Sequence, residues 1–299
     1  MTIQRIPISK LIDGKGNVII YSLNDVVINT EELTIIKRLI VKNSGRIFVD
    51  GNKLLHIYNK EDTSPLHFYN NNNLYVEKLS VTNARPTVTI NATCPTSMLE
   101  LTVTGGSTGV YLNHELCVVG RCVLKDQQGD GVFIAASDTT VYQNKITLLG
   151  NLVEQGIHPD CIQISGRKNV EETLYKISIS DNILGSYAKN NCQGIVHSEG
   201  ILIDSEIHNN NIQVVNDNGI RLNRANSVRI THNTCNTNII IGSTKISDYE
   251  SNSNIVEENF CKDLVTYNVG DSIVRENEIR GNRINFDASG ARVQYDKNT

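Results

Sequence analysis

The 299-residue sequence contains no tryptophan, two methionines, five prolines and no CxxC pair. It also lacks any apolar run near the ~20 residues that a membrane-spanning helix requires, which excludes a helical membrane span. Its seven cysteines are an odd number with no metal-type spacing to histidines, so they read as buried reduced thiols and no cofactor or structural zinc is expected. The opening stretch MTIQRIPISK has neither an apolar segment nor a small-residue cleavage site, so the expectation is a protein made in a cytoplasm without a cleaved signal. Lysine plus arginine (28) and aspartate plus glutamate (32) are interspersed, for a net charge of -4. No basic stripe or aromatic-rich basic segment exists to track phosphates, and nucleic acid is not an expected partner.

What is abundant is asparagine, 37 of 299 residues, which with so little proline suits repeated tight turns rather than helices. Hydrophobic residues at 39% and charged residues at 20% supply a core and exclude a disordered chain.

Two patterns recur. In the first, an apolar residue is followed three positions later by asparagine: Leu148 and Asn151, Ile179 and Asn182, Ile207 and Asn210, Ile230 and Asn233, Val256 and Asn259, Val274 and Asn277. In the second, a small or polar residue precedes an apolar-x-apolar step, as at Gly109, Gly131, Cys161, Gly194, Gly219 and Asn238. The two alternate from about residue 144 to 241, so each repeat carries at least two short strands with a turn between them. Such strands cannot bury a face alone and must stack coil on coil around a shared core. Asparagine at a fixed turn tolerates left-handed backbone and can bond to its equivalent one coil away, which predicts an amide ladder.

A leucine-rich repeat also shows an apolar-x-x-Asn step, but its period is regular and its strands are leucine-dense, whereas these spacings run 31, 28, 23, 26 and 18 and use Ile and Val. The expected fold is therefore all-β, a single-stranded right-handed parallel β-helix, the hand following from the general preference of parallel crossovers. The expected organisation is capping and first irregular coils over 1–73 with a polar loop at Asn70–Asn73, regular coils over 74–286, and a polar tail over 287–299.

The coil pattern over about 74–286 resembles the pectate-lyase-like right-handed β-helix superfamily, which includes bacteriophage tailspikes and polysaccharide depolymerases. The resemblance implies a polysaccharide partner, a virion tail location alongside other virion proteins, and self-association as a homotrimer. It does not fix an activity, because this scaffold hosts lyases, hydrolases and non-catalytic virion parts.

Aligned by the second pattern, Asp130, Asp160, Gln193 and Asn218 stack on adjacent coils, ~4.8 Å apart. The outward positions of the next strand stack Tyr111, Phe133, Gln163, Val196, Arg221 and Ile240 as a candidate groove floor. With no tryptophan, Tyr111, Phe133, Tyr142 and Tyr187 are the available platforms for a sugar ring.

The sharpest local motif is GIHPDCIQISG at 156–166, carrying His158, Asp160 and Gln163. Glycoside hydrolysis wants two carboxyl groups about 5 to 9 Å apart, which Asp130 with Asp160, or Asp160 with Glu199, could provide. Elimination wants a base, His158 or His197, and a cation, Arg221 or Lys189. The candidate catalytic set is thus Asp160, His158, Asp130, Glu199 and His197, with Gln163, Arg221, Tyr187, Lys189, Phe133 and Tyr111 holding substrate. Three plainer readings stand beside it. His158 and Asp160 can form a turn cap, and His197 falls on an inward position suited to a structural histidine. Asp130 with Asp160 could also bind Ca2+, though two acids fall short of the 6 to 8 oxygens required. A groove that only binds glycan remains the alternative to an enzyme.

Overall fold

The structure is a computed structural model that describes residues 4–22, 25–43, 46–69, 74–149, 158–166, 172–187, 191–242, 251–267, 272–280, 284–287 and 293–296. Asn70–Asn73, Asn151, Glu154 and Lys189 lie outside them. The chain winds as a right-handed parallel β-helix whose coils each visit three sheets in turn. Sheet 1 has 13 strands, from Gln4–Pro7 to Val293–Asp296. Sheet 2 has 11, from Thr34–Ile36 to Glu278–Ile279, and sheet 3 has 12, from Asn17–Ser22 to Ile284–Asp287. A short three-stranded sheet, Thr173–Tyr175, Ile201–Ile203 and Ala225–Asn226, is added after sheet 3 in the upper coils.

The strands are short because alternation is all they need: Val, Ile and Leu point inward and stack in register, as Val119, Val141, Ile179, Ile207, Ile230 and Val256 do in sheet 1. Those side chains are completely or almost completely buried, each contributing roughly 1.5–3 kcal/mol relative to exposure. β-branched residues suit this half-buried pleat. All seven cysteines are buried as thiols.

The corner from sheet 1 to sheet 2 is the tightest. From Lys78 upward one residue per coil takes a left-handed backbone there, Lys78, Glu100, Arg121, Gln143, Asp181, Asn209, His232, Glu258 and Glu276, with φ between 54 and 58°. The residue after it turns inward. From Asn144 upward that residue is always asparagine: Asn144, Asn182, Asn210, Asn233, Asn259, Asn277. Each Oδ1 accepts the backbone N–H of the column residue one coil below at 2.9–3.0 Å, starting with Cys122. Each Nδ2 in the stack donates to the next Oδ1 at 2.9–3.0 Å. The ladder read from the sequence is present from Asn182 to Asn277, but its rung below Asn182 is Asn144, not Asn151. Val141–Asn144 fits the apolar-x-x-Asn step as well as Leu148–Asn151 does, and Val141 is the one that lies in sheet 1.

The small residues leading into sheet 3 have a steric reason. A Cβ on Gly109, Gly131 or Gly194 would stand 2.6, 2.5 or 2.1 Å from a carbonyl oxygen of the coil above, so the backbones approach there as only glycine allows.

Candidate functional site

The outer face of sheet 3 carries one continuous row. Tyr111, Phe133, Gln163, Val196, Arg221 and Ile240 pair in register, coil on coil. The Tyr111 and Phe133 rings pack at 5.1 Å with their planes tilted 31°, forming an aromatic station without tryptophan. Gln163 Nε2 donates to Ser198 Oγ at 3.0 Å. Asn223 joins this side chain group to Arg221: its Nδ2 donates to Ser198 O at 3.2 Å and its Oδ1 accepts Arg221 Nε at 3.1 Å.

At the trailing end of these strands the row opens into a cleft of about 550 Å³ lined by Tyr111, Asn113, Phe133, Ala135, Gln163, Ser165, Gly166, Ser198 and Glu199. That volume is ordinary for a specific small-ligand site. Asn113, Ser165 and Ser198 escaped the sequence reading, although Ser165 and Ser198 follow residues paired in register, Ile164 and His197. The repeated serine after an aligned strand was the available signal.

Asp130 and Asp160 occupy the leading end of the same strands. They stack as expected: the Asp160 N–H donates to Asp130 Oδ1 at 3.0 Å, and Asp160 pairs with Gln193 above. Gln193 Oε1 in turn accepts Asn218 Nδ2. Both carboxyls are buried, at 9% and 3% exposure, which takes them out of the open cleft. Burial pushes Asp130 up to about 7 against the pull of the Asp160 amide. Asp160 is raised well above the carboxylate range by burial and then by the charge of Asp130, with Arg221 opposing. Asp160 Oδ1 has no hydrogen-bond partner among the described residues. Burial of both groups, with the charge of Asp130 acting on Asp160, favours the protonated carboxyl over the carboxylate.

His158 is exposed and stands in the neighbouring column, with its Nδ1 3.0 Å from Asn191 Nδ2, and Asn216 Nδ2 donates to Asn191 Oδ1. Tyr187 lies at the corner before sheet 3, where its hydroxyl donates to Asp126 Oδ1 at 3.2 Å, away from the cleft.

Two expectations are corrected. Glu199 sits beside Gly166, whose N–H donates to its carbonyl at 2.9 Å. Asp160 is six residues back along an extended segment, on the order of 15–20 Å, so Asp160 and Glu199 cannot form a pair 5 to 9 Å apart. His197 is fully buried between Ile164 and Leu222 of adjacent coils and cannot meet a ligand in the cleft. Burial lowers its pKa to about 4, with the Glu199 backbone opposing and Arg224 adding to the shift, so it is a neutral core residue. No cluster of three or more metal-ligating side chains occurs among the described residues.

No family model matches the sequence, and no curated protein sequence does. Solved structures do match in fold. The Dettilon tailspike protein superposes with a TM-score of 0.53 at 11% identity, over 93% of this chain and 61% of that one. A double mutant of the tailspike protein of E. coli bacteriophage HK620, solved in complex with a pentasaccharide, gives 0.52 at 13% identity over 88% of this chain and 55% of that one. The chain therefore has the β-helix fold of the tailspikes and spans a little over half the length of these relatives.

Proposed function

We propose that the chain is the glycan-recognising solenoid of a phage tailspike, holding a bacterial surface polysaccharide along the outer face of sheet 3. The observation that supports it is the cleft beside the Tyr111–Phe133 station. An aromatic face there meets the C–H face of a sugar ring, and Asn113, Gln163, Ser198 and Glu199 offer donors and acceptors to its hydroxyls. The tailspike resemblance adds a virion tail location, a homotrimeric assembly and other virion proteins as partners. A monomer in solution light scattering would count against the trimer.

A depolymerase is the second reading, and one feature favours it. Asp130 and Asp160 lie on adjacent coils with both carboxyls pushed up by burial, and two neighbouring carboxyls, one of them held protonated, are what glycoside hydrolysis requires. Their burial, and their distance from Glu199, leave the cleft itself with a single carboxylate, so binding carries the stronger support. Both readings are tested on one set of purified capsule and lipopolysaccharide fragments. Tyr111→Ala/Phe133→Ala should weaken calorimetric binding at least tenfold, and unchanged affinity would remove the cleft from the function. Wild-type chain should release new reducing ends only if the acid pair is catalytic; Asp160→Asn should then abolish cleavage while retaining binding.

A further inference from the structure

A second group of side chains stands on the outer face of sheet 3, below the cleft and of different charge. The register runs Ile40, His67, Asn91, Tyr111 in one column and Lys42, Tyr69, Thr93 in the next. Asn113 follows Thr93 at the cleft rim, its N–H donating to Ala92 O at 2.9 Å. The His67 and Tyr69 rings stack at 5.4 Å and 16°, and Tyr69 Oη lies 2.8 Å from His67 Nδ1. Lys42 Nζ sits 5.5 Å from the centre of the Tyr69 ring. Arg38, two residues before Ile40, is near enough that its charge, after burial, helps hold His67 below its ordinary pKa.

Among the described residues these charges have no acidic partner. Lys37, Arg46, Lys78 and Arg85, in the same coils, each face a carboxylate. Arg38 and Lys42 form no ion pair among the described residues, and Arg38 Nε is buried without a hydrogen-bond partner. Asn91, between this group and Tyr111, also has a buried, unpartnered Oδ1. With His67 held neutral, the fixed positive charge comes from a guanidinium fork and an ammonium beside an aromatic face. A guanidinium matches a carboxylate or phosphate bidentately, and its orphan donor gains a partner when such a group arrives.

We propose that Arg38, Lys42, His67 and Tyr69 form a second glycan subsite that takes a sugar carrying an anionic substituent. The recognised polysaccharide is then acidic and runs along the solenoid axis, its charged residue two to three coils, ~10–14 Å, from the Tyr111 station. This rests on the glycan reading above and names its substrate class.

The test is a titration of the whole chain, isotopically labelled at histidine, with glucuronate, glucose 6-phosphate and glucose in low salt, following the His67 ring resonances by NMR. The expected result is a saturable shift with one or both anionic sugars and at least tenfold weaker binding of glucose. The tighter anion identifies the substituent as carboxylate or phosphate. Arg38→Gln/Lys42→Gln should weaken the anion response at least tenfold. No response to either anion, an equal response to glucose, or a double variant that responds like wild type would overturn the proposal. The Tyr111→Ala/Phe133→Ala variant leaves these four residues in place, so a cleft that fails its own test does not alter this readout.

Discussion

The lower coils, up to about residue 125, and the upper coils, from Asn144 onward, turn the same corner between sheets 1 and 2 with different chemistry. In the lower coils the inward residue of the corner is Leu79, then Leu101, both buried. Cys122 is the junction: its Sγ accepts the Leu101 N–H at 3.4 Å while its own N–H donates to Asn144 Oδ1. Above it the column is asparagine throughout. Yet the left-handed residue before it has the same backbone in both regions, φ 56° at Lys78 and 55° at Glu276. The turn is therefore set by the backbone, against a preference of about 1–2 kcal/mol for a non-glycine residue, and not by the asparagine. What the asparagine changes is how buried backbone donors are satisfied. The amide ladder supplies an acceptor to every N–H it covers, whereas the leucines add apolar contact. The buried acids and the buried histidine divide the same way, for among the described residues Asp130, Asp160 and His197 all lie above the junction.

The largest effect expected from breaking this contrast is at a central rung. Asn210→Leu removes the acceptor used by the Asn182 N–H and Nδ2 and the donor received by Asn233 Oδ1. With each buried orphan costing about 1–3 kcal/mol, a loss of about 3–5 kcal/mol is expected in urea unfolding. A loss under 1 kcal/mol would show that the upper coils tolerate leucine as the lower ones do.

A smaller effect follows from pH. Asp130, raised from 3.8 to about 7 in the folded state, contributes stability that is fully present below 3.8 and lost as pH rises through 7. His197, lowered from 6.5 to about 4, acts in the opposite sense: its contribution is present above 6.5 and lost as pH falls through 4. The two oppose each other between pH 4 and 7. Asp130→Asn, which keeps an oxygen for the Asp160 N–H, should gain stability relative to wild type as pH rises from 4 to 8. His197→Leu should gain relative to wild type as pH falls from 7 to 4. Thermal melts across this range check both, and parallel curves for variant and wild type would refute the assigned shifts.

The smallest effect is at the junction. Cys122→Asn extends the ladder down one coil, giving the Leu101 N–H an amide oxygen in place of sulfur. The change should be between neutral and about 1 kcal/mol stabilising. A loss above 2 kcal/mol would mean the lower coils cannot accommodate an amide at all.

How far the sequence could be read follows from the same geometry. Asn182 to Asn277 and the row from Tyr111 to Ile240 were legible because a parallel stack repeats one residue type, or one inward-outward phase, at each coil. Asn144 was passed over because an apolar-x-x-Asn step exists in two sheets and composition does not say which. The Asp160 with Glu199 pairing failed because aligning coils fixes height along the axis but not position along a strand. The inward phase of His197 is legible, because it aligns with Ile164 and Leu222. The His67 and Tyr69 station lay in coils whose repeat carries neither asparagine nor the glycine step, so no pattern drew attention to it.

The left-handed corner also bears on how such a chain can change over generations. It admits two residues between strands in every coil from Lys78 to Asn277, whereas the connections into and out of sheet 3 range from one residue to more than ten. The corner is thus a spine of constant length, and lineages can lengthen, trim or exchange loops on the opposite side without disturbing it. A surface built this way can change its outer contour by insertion and deletion, leaving the winding that folds it unaltered.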